Sequence, residues 1–496
     1  MSKSRPNLLF ILLDHQLFCG HDRPGVFTYR HPRFEAFAAQ GTRFDRAYCV
    51  TPLCTPARAS MMTGVYPSAH GLIRNTDYHP MHDFRQGQLL YSHFLARAGY
   101  RNAYIGKWHC GRDRLPIDYG IEGWALPDYG KVYMSPQYEA YAAARGLGDA
   151  RAHIEHYLDR PHFVGSTQVL HHNSPWYFMQ GAGVLEGPPE AHESQFVAHE
   201  TIGKLRELAA AGDSQPWSLV ASFWAPHQPY YPTEPFASMV DPASIPEYPS
   251  WRDDLAGRPT RHLLHRNACA PSASTWTDWP TWQRVLGRAY GQGYQTDAAV
   301  GEILDALGEL GLAEDTLVIW TADHGDALAS HGGVFDKMAG FTEEVARVPM
   351  AIRWPGHIEP GRRTDARVSN MDVPATMLDA AGAQVPANWD SRSLLAPARS
   401  DTSTWPDQLI CQHYGHGAIH LVQRVILADR YKYVAVDFDG DEMYDLAADP
   451  YEMHNRIDDP AHADVRNDLR RRLLEHIQRT DDRDARRIAV RLQAGR

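Results

Sequence analysis

The stretch Ala298-Ala-Val-Gly-Glu-Ile-Leu-Asp-Ala-Leu-Gly-Glu-Leu310-Gly-Leu-Ala-Glu-Asp-Thr-Leu317-Val-Ile-Trp-Thr321-Ala-Asp323-His324 contains one complete passage from helix to strand. Val300, Ile303, Leu304, Leu307 and Leu310 recur at three- and four-residue spacing, which gives a helix a single apolar face. Gly311 then supplies a stop, since glycine accepts the left-handed conformation that ends helices. Residues 317–321 form a short run with almost no polar member, as expected of a strand covered on both faces. Similar runs occupy 8–13, 100–105, 219–224 and 349–354, with helical patterns between them. That alternation predicts an α/β fold with a large, mainly parallel sheet flanked by helices. Ligands in open α/β sheets gather beyond the carboxyl ends of the strands. Asp14, His227 and the pair Asp323-His324 all follow such strands, so the four are expected in one cleft despite their separation in sequence.

Outward from this core, two segments break the alternation, 112–189 and 241–282, and both are rich in Pro, Gly, Trp and Tyr. They read either as insertions that wall a substrate pocket or as surface loops. After residue 382 the pattern changes to short strand-like pieces at 409–412, 422–427 and 431–436. A charged helix follows, carrying Val465, Leu469, Leu473 and Ile477 at four-residue spacing. The expected division is a catalytic domain over 1–385 and a smaller C-terminal α+β domain with a short antiparallel sheet over 386–496.

The 496 residues are 43% hydrophobic and 22% charged, ordinary usage for a folded chain of this size. The net charge of −11, with basic residues scattered, offers no footprint for nucleic acid or an anionic membrane. No apolar run is long enough to span a bilayer. The six cysteines (Cys19, Cys49, Cys54, Cys110, Cys269 and Cys411) lack close pairs and any CxxC, which argues against a disulfide framework or a structural zinc site. The apolar run at 7–13 ends at Asp14 without a small-residue cleavage site, so it reads as a strand and not as a signal segment. The expectation is a cytoplasmic protein that acts on a small molecule.

The most informative motif is Cys49-Val-Thr-Pro-Leu-Cys54-Thr-Pro-Ala-Arg58-Ala-Ser-Met-Met-Thr-Gly64. Pro56 suits a first helical turn. Cys54 would then sit at the positive end of a helix, beside Arg58, where anions are favoured. Cys54-Thr-Pro-Ala-Arg58 resembles the C-x-P-x-R signature of the sulfatase family. Further matches to that family run through most of the chain: Pro6-Asn-Leu-Leu-Phe-Ile-Leu-Leu-Asp14, Gly106-Lys-Trp-His-Cys-Gly111, Ala225-Pro-His-Gln-Pro229, Thr321-Ala-Asp-His-Gly-Asp326 and Glu442-Met-Tyr-Asp-Leu-Ala-Ala-Asp-Pro-Tyr-Glu452.

The resemblance implies an alkaline-phosphatase-like fold and oxidation of Cys54 to formylglycine by a formylglycine-generating maturation enzyme. It also implies one divalent cation held by Asp14, Asp323, His324 and the matured Cys54. Oxygen-rich ligation points to Ca²⁺ first, with Mg²⁺ or Mn²⁺ as alternatives. Many family members carry a second Asp where this chain has His15, which is a further candidate ligand and leaves open whether position 15 reaches the metal. Arg58 and Lys107 would stabilise the hydrated aldehyde and the charge on the transferring group. His109 would act as the base that assists sulfate expulsion, and His227 and Lys337 lie where the family protonates the leaving oxygen. Asn75 would donate a hydrogen bond to the bound ester. One hydroxyl of the hydrated aldehyde would attack sulfur, and deprotonation of the other would then expel sulfate.

The implied substrate is a small sulfate monoester, aryl or related. A phosphonate monoester or phosphodiester hydrolase on the same scaffold is the alternative, and the Gly-Lys-x-His pattern at 106–109 leans toward sulfate. A non-catalytic anion-binding protein with an unmodified Cys54 is a third reading. Of the remaining histidines, His79, His82, His171, His172, His262, His265, His416 and His420, most read as loop or surface residues, with one or two as candidates to line the pocket. The C-terminal helix and the insertions offer surfaces for self-association.

Overall fold

The structure, a computed structural model, describes residues 5–16, 30–76, 81–170, 180–211, 215–269 and 275–495. Its strands, in chain order, are β1 (Asn7–Asp14), β2 (Thr42–Tyr48), β3 (Arg101–Lys107), β4 (Glu122–Leu126), β5 (Arg151–Tyr157), β6 (Thr167–Val169), β7 (Gly181–Leu185), β8 (Trp217–Pro226), β9 (Thr316–Ala322), β10 (Met350–Arg353), β11 (Arg362–Ser369), β12 (Gln408–His413), β13 (Gln423–Ala428), β14 (Tyr431–Val436) and β15 (Glu442–Asp445). Eight of them form the main sheet, in the order β11-β2-β10-β9-β1-β8-β3-β4. Strand β1 pairs in parallel with β8 on one side and β9 on the other, and all eight of its residues are buried. This explains its unbroken apolar run, because no face of it meets water. Only β10 runs antiparallel to its neighbours, β9 and β2.

The predicted helix at 298–310 is the C-terminal part of a 31-residue helix, Trp279–Glu309, whose N-terminus is capped by the Asp278 side chain accepting from Thr281 N. Its Val300, Ile303 and Leu307 are buried against the sheet core. Burying each such side chain contributes about 1.5–3 kcal/mol. Gly311 follows the helix with φ 69°.

The segment 112–189 is more than a set of loops. It contains the helix Pro136–Arg145 and a separate antiparallel sheet in the order β6-β5-β7. Strand β5 reads Arg-Ala-His-Ile-Glu-His-Tyr, so its polar residues masked the strand signal. The segment 241–282 likewise holds the helix Thr260–Cys269 and the start of the long helix.

The C-terminal part carries a four-stranded antiparallel sheet, β12 to β15 in sequence order. Leu469, Leu473 and Ile477 of the helix Ala463–Arg479 are buried in one cluster with Ile426 and Tyr433 of this sheet, and Val465 packs at the cluster's edge. Among the described residues Cys49, Cys54, Cys110 and Cys411 are free and buried, while Cys19 lies outside them. No helix among the described residues is long and apolar enough to cross a membrane.

Candidate active site

The carboxyl ends of β1, β3, β8 and β9 deliver Asp14, Lys107, His227 and Asp323-His324 to one buried place. The helix Cys54–Thr63 approaches the same place with its N-terminus. It starts two residues before Pro56, is buried along its whole length, and ends at Gly64 in the left-handed conformation. Asn75 lies against its first turn, where its side-chain oxygen accepts the Thr55 amide at 3.1 Å. The close pairing of β3 with β8 depends on Gly106, with φ 107°, where a Cβ would stand 1.9 Å from the Ser222 carbonyl oxygen.

Arg58 ties these elements together. Its Nε donates to Asp323 Oδ2 at 2.8 Å, Nη1 donates to Ser222 Oγ at 2.8 Å and to the Lys107 carbonyl at 3.0 Å, and Nη2 lies 3.8 Å from Asp14 Oδ1. The Lys107 ammonium donates to Asp14 Oδ2 and sits 4.0 Å from the centre of the Tyr129 ring. Burial alone would raise the Asp323 carboxyl, but His324 and Arg58 outweigh it and hold it below the usual range. The Asn370 amide donates to the carbonyls of Ala322 and Asp323 and so fixes the end of β9.

Cys54 Sγ lies 3.2 Å from His324 Nε2, while His324 Nδ1 meets the Gly325 carbonyl at 2.8 Å. Burial pushes the Cys54 thiol up to about 12, despite the ammonium groups of Lys337 and Lys107. An unmodified thiol here is therefore neutral and a poor nucleophile. Donor atoms from Asp14, His15, Cys54 and His324 lie within 4.8 Å of one another. Asp323 stands outside that set by this measure, with Oδ1 3.8 Å from His324 Nε2. Asp14 Oδ1 is buried without a hydrogen-bond partner. A divalent cation fits this mixture of carboxylate oxygen and imidazole nitrogen.

The other side of the site is a second cluster. Lys337 Nζ lies 3.4 Å from His227 Nε2 and donates to Asp336 Oδ1 at 2.7 Å. Burial and Lys337 hold the His227 imidazole down at about 3, so it is neutral, with Nδ1 against the Gln228 carbonyl at 2.6 Å. Burial opposes the charge on Lys337, but Asp336 outweighs it and raises the ammonium above its ordinary value. His109 is buried with φ 50° and neither ring nitrogen hydrogen-bonded; burial, Lys107 and Arg58 depress it strongly.

Sequence reasoning missed several groups here. Ser222 bonds Arg58 and Tyr129 roofs Lys107. Asp326 bonds His15 Nδ1 at 3.2 Å and accepts from the Tyr230 hydroxyl at 2.8 Å. Asp326 stood inside a quoted motif and could have been singled out, whereas Ser222, Tyr129 and Tyr230 carry no signal beyond their residue type. Two of the remaining histidines depart from the loop or surface placement expected of most of them. His262 and His265 are buried on the helix Thr260–Cys269, with His262 Nε2 2.9 Å from Glu442 Oε1 and His265 Nε2 3.1 Å from His416 Nδ1. Both face the C-terminal part, so burial there replaces exposure. His79, His171 and His172 lie outside the described residues.

The sulfatase family profile matches residues 6–383, and a profile described as the C-terminal part of N-sulphoglucosamine sulphohydrolase matches residues 330–479. Choline-sulfatase of Rhizobium meliloti (strain 1021) is 31% identical over 474 residues, which cover 93% of this chain and 84% of that protein. Arylsulfatase of Clostridium perfringens (strain 13 / Type A) is 25% identical over 487 residues, covering 96% and 95%. Among solved structures, the phosphonate monoester hydrolase of Silicibacter pomeroyi matches with a TM-score of 0.77 at 22% identity, covering 97% of each chain. At that identity the likeness concerns the fold.

Proposed function

This chain belongs to the sulfatase family and is a sulfuric ester hydrolase, and from that premise we propose that it cleaves small sulfate monoesters with a formylglycine nucleophile made from Cys54. The observation that carries the reading is the convergence of Asp14, His15, Cys54 and His324 on one buried point, ringed by Arg58, Lys107 and Lys337. Asp14, Asp323, His324, position 54 and His15 would hold one divalent cation. When bound, that cation supplies Lewis acidity and charge neutralisation at the sulfate oxygens.

The chain's own residues account for the other requirements. Arg58 and Lys107 are two buried cations within electrostatic reach of position 54, where negative charge accumulates during transfer. Neutral His109 has one unprotonated ring nitrogen, and with neither nitrogen hydrogen-bonded it can accept the proton whose removal expels sulfate. On the leaving-group side, Lys337 carries the proton and neutral His227 accepts a hydrogen bond from it, so Lys337 is the acid toward the departing oxygen and His227 orients it. Asn75 holds the Thr55 amide through its oxygen, which leaves its NH₂ for the ester.

Maturation requires a formylglycine-generating enzyme in the producing cell. The test is a comparison of specificity constants for aryl, alkyl and carbohydrate sulfates against matched phosphate and phosphonate esters. A sulfate ester should lead. Preferential turnover of a phosphonate monoester or phosphodiester would instead support the second reading, a hydrolase of those esters on the same scaffold.

A further inference from the structure

Position 15 is where this chain departs from the aspartate pair common in its family, and the surroundings of His15 are built for an imidazole. The residue is buried, and its backbone takes φ 60°, a conformation that a non-glycine residue keeps only where its neighbours enforce it. Its amide donates to Asp323 Oδ1 at 3.3 Å. Its ring lies against His324 with centroids 4.4 Å apart and against His227 at 3.9 Å. Nδ1 meets Asp326 Oδ2 at 3.2 Å. Asp326 is itself immobilised, since the Tyr230 hydroxyl donates to Oδ2 at 2.8 Å and the Leu328 amide donates to Oδ1 at 3.1 Å. Nε2 has no hydrogen-bond partner and lies 3.5 Å from Asp336 Oδ1.

A carboxylate behind one ring nitrogen fixes the tautomer and leaves the other nitrogen with its lone pair for a metal. We infer that His15 is a second imidazole ligand of the cation, held by Asp326 and Tyr230 as positioning residues, and that the site consequently selects a first-row transition ion such as Mn²⁺ over Ca²⁺. The inference rests on the reading of this cluster as a divalent-cation centre. Ca²⁺ takes six to eight oxygen ligands, as a class. Here His15 and His324 would supply two nitrogens, and the carboxylates are reduced to Asp14 and Asp323. Imidazole suits first-row transition ions, so the exchange of Asp for His at one position moves the preference.

The experiment uses the full-length matured protein, stripped with chelator and reloaded with Mn²⁺. Pulsed electron paramagnetic resonance counts the ¹⁴N couplings on the ion, and calorimetry compares Mn²⁺ with Ca²⁺. Two nitrogen couplings are expected, falling to one in His15→Asn. Mn²⁺ should bind at least ~10-fold more tightly than Ca²⁺, Asp326→Asn should weaken Mn²⁺ by ~10–100-fold, and His15→Asp should shift the preference back toward Ca²⁺. One coupling in the unsubstituted protein, or equal affinity for both ions, overturns the inference and leaves the cation centre standing. Failure to bind either ion overturns the cation centre itself, and the two failures are therefore distinct.

Discussion

Arg58 is the side chain on which both carboxylates of the centre lean, so Arg58→Met is the sharpest perturbation of the fold and the site together. Met preserves much of the buried volume and removes the charge. The Lys107 carbonyl keeps its partner, because Ser222 Oγ also donates to it at 2.8 Å, and Ser222 is not orphaned. The loss therefore falls on Asp323, deprived of its 2.8 Å partner, and on Asp14, which retains Lys107. Removing one member of a buried ion pair costs ~3–5 kcal/mol, because the charge left behind is uncompensated. Arg58→Lys keeps the charge but reaches one of the three acceptors, at a cost of ~1.5–3 kcal/mol, the worth of a charged hydrogen bond. Urea denaturation in chelator should show this order, and saturating divalent cation should recover part of the Met variant's loss by mass action. An Arg58→Met protein within ~1 kcal/mol of the unsubstituted one without metal would refute the claim that Arg58 neutralises this centre.

Four further outcomes follow from particular groups. Neutral His227, held at about 3 by burial and Lys337, should give no alkaline limb near pH 6.5 in kcat/KM; Lys337→Ala should lose far more rate with a poor leaving group than with an aryl one, and equal losses would contradict its role as acid. His70 is depressed from 6.5 to about 3, chiefly by burial, and bonds Ser60 Oγ at 3.0 Å. Between those values the unfolded chain binds the proton and the folded one does not, so the His70 contribution to stability is lost as pH falls, by ~2 kcal/mol at about pH 5. His70→Gln should flatten that acid-side decline in urea midpoints, and an unchanged slope would count against it. Gly106→Ala should cost at least ~1–3 kcal/mol by overpacking β3 against β8, measured by thermal unfolding.

The central sheet was legible in the sequence because β1, β8 and β9 are covered on both sides, and burial of that kind leaves an unmistakable apolar run. Strands β2 and β11 were not: Arg-Arg-Thr-Asp-Ala-Arg-Val-Ser of β11 forms the sheet's edge and carries the charges such an edge tolerates, and Thr-Arg-Phe-Asp-Arg-Ala-Tyr of β2, paired beside it, is only partly buried and keeps charged residues too. The same contrast holds at the site. Residues at strand ends could be expected in one cleft from their position, whereas Cys54 and Arg58 became informative through the resemblance to the sulfatase family. Ser222, Tyr129 and Tyr230 come from registers and loops that only the folded chain brings together. His15 was readable as a departure, but its meaning depends on Asp326 and Tyr230 behind it.

The most direct test of the account is peptide mass spectrometry across position 54, on protein produced with a formylglycine-generating enzyme and assayed for sulfate-ester turnover in the same preparation. The account predicts a carbonyl oxygen in place of the Cys54 sulfur, with activity proportional to the modified fraction. A fully active preparation that retains the thiol at position 54 would contradict it.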